Sequence, residues 1–157
     1  ADRAGILAGT AKNGTVIRNV TVSGYVYSNQ DAGGIAAVLC GSGKGTAAGT
    51  QIQQSDGSVI VENCRAEGIT MNGAGTDGAV GGIAGKAEKA YLVDNVVITQ
   101  NGTSDRIHGK GYIGGIAGIM NQSGIYNSYV NGTIGGNGSR AVGGIVGKYE
   151  SGNLIRE

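Results

Sequence analysis

The chain has no proline, no tryptophan and no phenylalanine, and its only aromatic residue is tyrosine, at 7 positions. Without large rings the core must be filled by Val, Ile, Ala and Gly. Such thin side chains close a core only where backbones lie near one another, a demand that stacked strands meet and helices packed through long Leu-type side chains do not. The lack of proline and of a Gly-X-Y period excludes a collagen triple helix. Charged residues make up only 15% of the chain while apolar residues recur at regular positions, which disfavours disorder. With 12 basic and 11 acidic residues scattered along it, the chain has no basic stripe of the kind nucleic acid or an anionic membrane needs. No apolar run approaches the ~20 residues of a membrane span and no signal-peptide pattern is present, so direct membrane insertion is not expected.

Reactive residues are also scarce. The single histidine, His108, excludes the H-E-x-x-H pair of a zinc peptidase. It lies in "RIHGKG", with no nucleophile elbow for a Ser-His-Asp arrangement, and reads as an exposed loop histidine. Cys40 and Cys64 are too few to indicate a compartment; they form either a disulfide or redox pair or, as the better reading, two small buried thiols.

What the chain has in abundance is glycine, 33 residues of it, which argues against helix because each interior glycine costs about 1 kcal/mol relative to alanine. The glycines recur in a pattern. "VGGIAGKAEKAYLVDN" (Val80 to Asn95) returns as "IGGIAGIMNQSGIYN" from Ile113 and as "VGGIVGKYESGNLIRE" from Val142. "ILAGTAKNGTVIRN" (Ile6 to Asn19) matches "GIAGKAEKAYLVDN" without a gap, "GIAGIMNQSGIYN" matches with one residue missing, and "GIAA" at Gly34 starts a further copy. Aligned on the Asn that ends each unit, the copies are 44, 32 and 32 residues apart. Alternation after that Asn places Val20, Cys64, Val96 and Ser128 in one column and Val22, Ala66, Ile98 and Val130 in the next inward one. Leu7, Ile35, Ile83, Ile116 and Ile145 supply a second apolar wall.

A unit of this length cannot bury its apolar face alone, but stacked units can. The sequence therefore predicts an all-β fold, a β-solenoid and specifically a right-handed parallel β-helix with rungs of about 30 residues. Paired glycines would allow a sharp corner or a positive φ and leave room for the next rung. Asn19, Asn63, Asn95 and Asn127 are expected to stack as a ladder at one corner. Residues 1–157 read as a single repeat-built unit with an inserted loop near 38–57. Because the chain starts at "ADRAGILAG" and stops at "NLIRE" within the pattern, it is expected to be a segment of something longer, with neighbouring domains in the same chain.

At "NCRAEGITMNG", "NSYVNGTIGG" and the recurring "GGIAG" or "GGIVG", the sequence resembles the GLUG-motif repeats of bacterial surface proteins, over essentially its whole length. Those repeats have the general form G-G-[LI]-[VA]-G … I-x-N-[CS]-Y-A-x-G-x-V. Two departures are evident: Ile6 replaces the second glycine of the first copy, and the second copy ends "GIAA" and carries the insertion. The family includes the non-catalytic N-terminal part of immunoglobulin-A-specific zinc metallopeptidases and adhesin-like proteins. The resemblance implies an extracellular or cell-wall location and a non-catalytic module, and it carries no catalytic residue into this chain.

Two literal G-x-G-x-x-G matches, "GAGTDG" (Gly73 to Gly78) and "GKGYIG" (Gly109 to Gly114), are followed by nothing helical and are set aside as cofactor loops. "GSGKGT" at Gly41 lacks both the first glycine and the Ser or Thr of a phosphate loop. No cofactor or metal is expected. Asn-Gly-Thr at Asn13, Asn101 and Asn131 reads as turns rather than glycan acceptors. The column before the Asn ladder reads Arg18, Glu62, Asp94, Tyr126 and Arg156. Glu62 and Asp94 on adjacent rungs would lie about 5 Å apart, the geometry of a glycosidase pair or of half a Ca²⁺ site, although a solvated column flanked by arginines is the plainer reading. The insertion "VLCGSGKGTAAGTQIQQSDG" (Val38 to Gly57) holds Lys44, Gln51, Gln53, Gln54 and Asp56, polar groups suited to glycan or protein contact, and is either a binding element or a tolerated decoration.

The expectation is thus a non-enzymatic structural or adhesive module of a secreted or wall-attached bacterial protein, a rigid spacer that meets host glycan or protein. The alternative is a carbohydrate-active β-helix enzyme, a polysaccharide lyase or glycoside hydrolase.

Overall fold

A computed structural model describes residues 1–42, 57–99 and 107–151 and the backbone of 155–156. Among the described residues the chain is all-β, with no helix. It passes through four sheets in turn and then repeats the circuit. The first circuit is β1 (Arg3–Gly5), β2 (Ala8–Lys12), β3 (Val16–Arg18) and β4 (Thr21–Ser28). The second is β5 (Asp31–Gly33), β6 (Ala36–Cys40), β7 (Val59–Glu62) and β8 (Arg65–Gly73). The third is β9 (Ala79–Gly81), β10 (Ala84–Glu88), β11 (Ala90–Val93), β12 (Val96–Thr99) and β13 (Ile107–Gly109). The fourth is β14 (Tyr112–Gly114), β15 (Ala117–Asn121), β16 (Gly124–Tyr126), β17 (Tyr129–Asn131) and β18 (Ile134–Gly135). The last holds β19 (Ala141–Gly143), β20 (Val146–Ser151) and β21 (Ile155–Arg156).

Every described pairing is parallel, and each joins a strand to its counterpart one circuit away. Parallel neighbours need a long crossover; here the rest of the circuit supplies it. The first sheet runs β1-β5-β9-β14-β19, the second β2-β6-β10-β15-β20 and the third β3-β7-β11-β16-β21. In the fourth, β4 pairs with β8, β8 with both β12 and β13, and these with β17 and β18.

The core lies between the four sheets. Its columns are Ile17, Val61, Leu92 and Ile125 on the third sheet, and Val22, Ala66, Val97 and Val130 on the fourth. Ile35, Ile83 and Ile116, at the corner between the first and second sheets, are wholly buried. At the ends of the stack the same columns open. Leu7, expected in the Ile wall, is 49% exposed, and Val142 and Tyr149 in the last circuit are 48% and 44% exposed. Column positions are wholly buried in the middle circuits, while those of the end circuits range from nearly buried, as at Ile17 and Val22, to half exposed.

The register between the third and fourth circuits differs from the expected one. Val80 pairs with Ile113, Ala84 with Ala117 and Val93 with Tyr126, a constant spacing of 33 residues with none missing. Val97, not Ile98, therefore continues the inward column of Ala66 and Val130. A one-residue slip would turn the alternating face of this strand outward, and burial of Val97 and Leu92 prevents it.

The paired glycines are explained by crowding alone, since neither member of a pair has a positive φ. A Cβ on Gly81 or Gly114 would sit 2.0 Å from the carbonyl oxygen of Ala84 or Ala117 in its own corner. On Gly82 it would sit 2.4 Å from the Gly115 oxygen of the next circuit. The third motif glycine, Gly85, Gly118 or Gly147, abuts first-sheet backbone. In the third and fourth circuits the motif is a close-approach device in all three positions.

Candidate functional site

The polar residues that recur with the motif hold the corner between the third and fourth sheets. Asn19, Asn63, Asp94 and Asn127 all adopt a left-handed backbone, with φ between 44° and 56°. Asn63 Nδ2 donates to Asn19 Oδ1 at 2.7 Å, and Asn127 Nδ2 to Asp94 Oδ1 at 2.6 Å. The expected ladder therefore contains Asp94 in place of Asn95. Asn95 sits one position further on, fully buried, in the column of Val20, Cys64 and Ser128. There Asn95 Oδ1 accepts the Cys64 N–H at 3.0 Å, and Asn95 Nδ2 donates to the Val61 carbonyl at 2.9 Å. Ser128 accepts the Asn95 N–H at 3.2 Å and donates to the Tyr126 carbonyl at 2.9 Å. Ser123, also buried, accepts from Ala90 N and donates to Asn121 O. The small polar residue after the corner thus reaches back to the preceding circuit and, where it is a serine, also closes its own turn, satisfying backbone groups in or near the core.

The acids do not converge. Glu62 pairs in register with Arg18 and Val93, so Asp94 is not its lateral neighbour. Instead Arg18 Nε donates to Glu62, an exposed ion pair of small energetic weight. Asp31, which no sequence motif marks, is buried: its Oδ1 accepts the Ala79 N–H at 3.0 Å and lies 3.2 Å from Lys86 Nζ. It joins the second circuit to the third as a structural bond. Among the described residues no three His, Cys, Asp or Glu side chains gather as metal ligands do.

Both cysteines are free thiols. Cys64 is buried and its thiol is raised above the usual value, chiefly by desolvation, which disfavours the nucleophilic thiolate. Cys40, half-buried, lies on the second sheet beside Lys12 and Glu88. Val38 to Cys40 belong to β6, with Leu39 fully buried, so the extra segment begins after them; Ser42 N–H closes its base by donating to the Gly57 carbonyl at 3.0 Å. Lys44, Gln51, Gln53, Gln54 and Asp56 lie outside the described residues.

Among the depressions of the outer surface, two bear on binding. A groove of about 610 Å³ runs along the second sheet, and much of its charge is already matched. Lys148 Nζ lies 2.7 Å from Glu150 and 5.1 Å from the centre of the Tyr112 ring, while Lys86 bonds Asp31 and Asp77 bonds Arg140. A cleft of about 470 Å³ lies where the fourth sheet turns toward the first. Tyr27, Asn72 and His108 occupy one column across three circuits. They face the cleft with Lys110 and Asn137, over a floor that includes Gly73 and Gly109. His108 is thus a half-buried strand residue in β13, not a loop histidine. The two G-x-G-x-x-G stretches supply corners here. The alternation in "YVYS" marks Tyr27 as outward, but nothing in the sequence tells which partners the register brings beside it.

Comparison of the chain with protein-family models, with curated proteins and with solved structures found no significant match.

Proposed function

We propose that the chain is a non-catalytic structural and adhesive repeat module of a bacterial secreted or cell-surface protein, of the GLUG-motif type. Its four parallel sheets are the faces of a β-solenoid, a right-handed parallel β-helix with rungs of about 30 residues, the hand following the general preference of parallel crossovers. The module acts as a rigid spacer and meets host glycan or protein through its outer faces and the segment after Ser42. The observation that carries this reading is the uniform order of the sheets: each circuit presents its outward residues directly beside those of the last. The recurring polar residues support it, since those at the corners bond circuit to circuit rather than line a reaction centre.

The test is binding of the chain to immobilised host glycans and immunoglobulins, together with an assay for new reducing ends or unsaturated sugars. The reading expects binding without cleavage. A fivefold-substituted variant, with Lys44, Gln51, Gln53, Gln54 and Asp56 changed to Ala, is expected to bind about tenfold more weakly if the inserted segment makes the contact. Cleavage of a polysaccharide would instead make the chain an enzyme.

A further inference from the structure

We propose that the cleft at the edge of the fourth sheet is a subsite for an acidic sugar, a carboxylate-bearing pyranose within a glycan. This rests on the adhesive reading and gives it a place and a ligand chemistry. Tyr27 is 50% exposed on the outer face and walls the cleft, offering an aromatic face of the size of a sugar ring. A pyranose presents clustered C–H groups on one face, and the negative face of an aromatic ring attracts them. Asn72 and Asn137 each bring a donor and an acceptor in one amide, the combination that hydroxyl groups require. Gly73, Gly109 and Gly136 line the cleft with backbone alone, so a ring can lie close to it.

Charge decides the class of sugar. Lys110 and His108 line the cleft, and among the described residues no acid does. The side chains of Asn72, His108, Lys110 and Asn137 form no hydrogen bond or ion pair with another described residue, so all four are open to a ligand. The second-sheet groove differs on this point, since Lys148 and Lys86 already meet Glu150 and Asp31, and Glu88 and Glu150 line it as well. A carboxylate beside Lys110 gains a charge-assisted bond while the ring rests on Tyr27. A few convergent polar groups around an apolar surface are what orient a small ligand.

The test is calorimetric titration of the intact chain with a hexasaccharide of alternating glucuronate and N-acetylglucosamine, and with its carboxyl-reduced counterpart. The acidic form is expected to bind at least about tenfold more tightly than the reduced one. Tyr27→Ala is expected to weaken binding by about tenfold or more, with Tyr27→Phe near the parent and Tyr25→Ala, outside the cleft, unchanged. Lys110→Gln should erase the difference between acidic and reduced sugars. These side chains face solvent, so the variants keep the fold, which circular dichroism checks. Absence of binding at millimolar sugar, or equal binding by Tyr27→Ala and the parent, overturns the subsite. Binding that survives Tyr27→Ala but is lost in the fivefold variant also overturns it, while the adhesive reading stands. Cleavage of the sugar overturns the adhesive reading itself.

Discussion

Gly82→Ala will destabilise the chain by about 3 kcal/mol or more, whereas Gly144→Ala, at the same place in the same motif, will change stability by less than ~1 kcal/mol. The two glycines differ in one respect. The Cβ of Gly82 would lie 2.4 Å from the Gly115 oxygen and 2.4 Å from Val97 Cγ1, while that of Gly144 would meet nothing within 4 Å. The Gly115 oxygen is backbone locked in the next circuit and cannot rotate away. Beyond Gly144 no described circuit follows. Neither glycine has a positive φ, so backbone strain does not enter. Urea unfolding of both variants, followed by circular dichroism, gives the comparison. Because stacked repeats can unfold in steps, amide exchange in the third and fourth circuits should report the same loss locally. Equal effects at the two sites would mean that the circuits do not lie on one another in this register.

Asn95→Ala is the second large effect, and it separates two asparagines that look alike in sequence. Removing the buried Asn95 amide leaves the Cys64 N–H without a partner, out of reach of water, and takes one bond from the Val61 carbonyl, which keeps its ladder bond to β11. The lost pair of bonds, one of which orphans a donor at a cost of 1–3 kcal/mol, predicts a loss of about 2 kcal/mol or more. Asn95→Ser should fall between, since a hydroxyl can satisfy only part of that pair. Asn63→Gly removes an exposed side-chain bond to Asn19 and relieves a φ of 51°, so its cost should stay below about 1 kcal/mol. Thermal melts of the three variants decide the matter. An Asn63→Gly variant that melts as low as Asn95→Ala would place both residues in one ladder, against the register described.

The contrast shows where the sequence was legible. The glycine-isoleucine motif was readable because its constraint is steric: in the stacked circuits both paired glycines face backbone, and only the third place admits a methyl group, at Ala37. Parallel strands and inward Ile, Val and Ala columns followed from it. The letter Asn proved a poorer marker. Any residue that tolerates a left-handed backbone and accepts a bond can occupy the ladder, and Asp94 does so, freeing Asn95 to turn inward. Aligning on Asn therefore shifted the third circuit by one residue and set Glu62 beside the wrong neighbour. Leu7 misled for another reason, since periodicity marks a face but not whether a circuit covers it. Asp31 gave no signal at all, because an acid at the start of a strand reads as a turn residue. The fourth-sheet cleft was equally hidden, as Tyr27, Asn72 and His108 meet only through circuits offset by 45 and 36 residues.

The central claim is that successive circuits stack in register along one axis. Thr10, Val38, Lys86, Ile119 and Lys148 form one outward column of the second sheet. Spin labels placed in a background with Cys40 and Cys64 replaced by Ala, at Thr10 and Lys86 and in a second sample at Thr10 and Lys148, measure that column directly by electron paramagnetic resonance. Stacking at the strand separation predicts backbone distances of about 10 Å and about 19 Å, so the second should be near twice the first. Two distances that do not grow with the number of intervening circuits would contradict the stack and everything built on it.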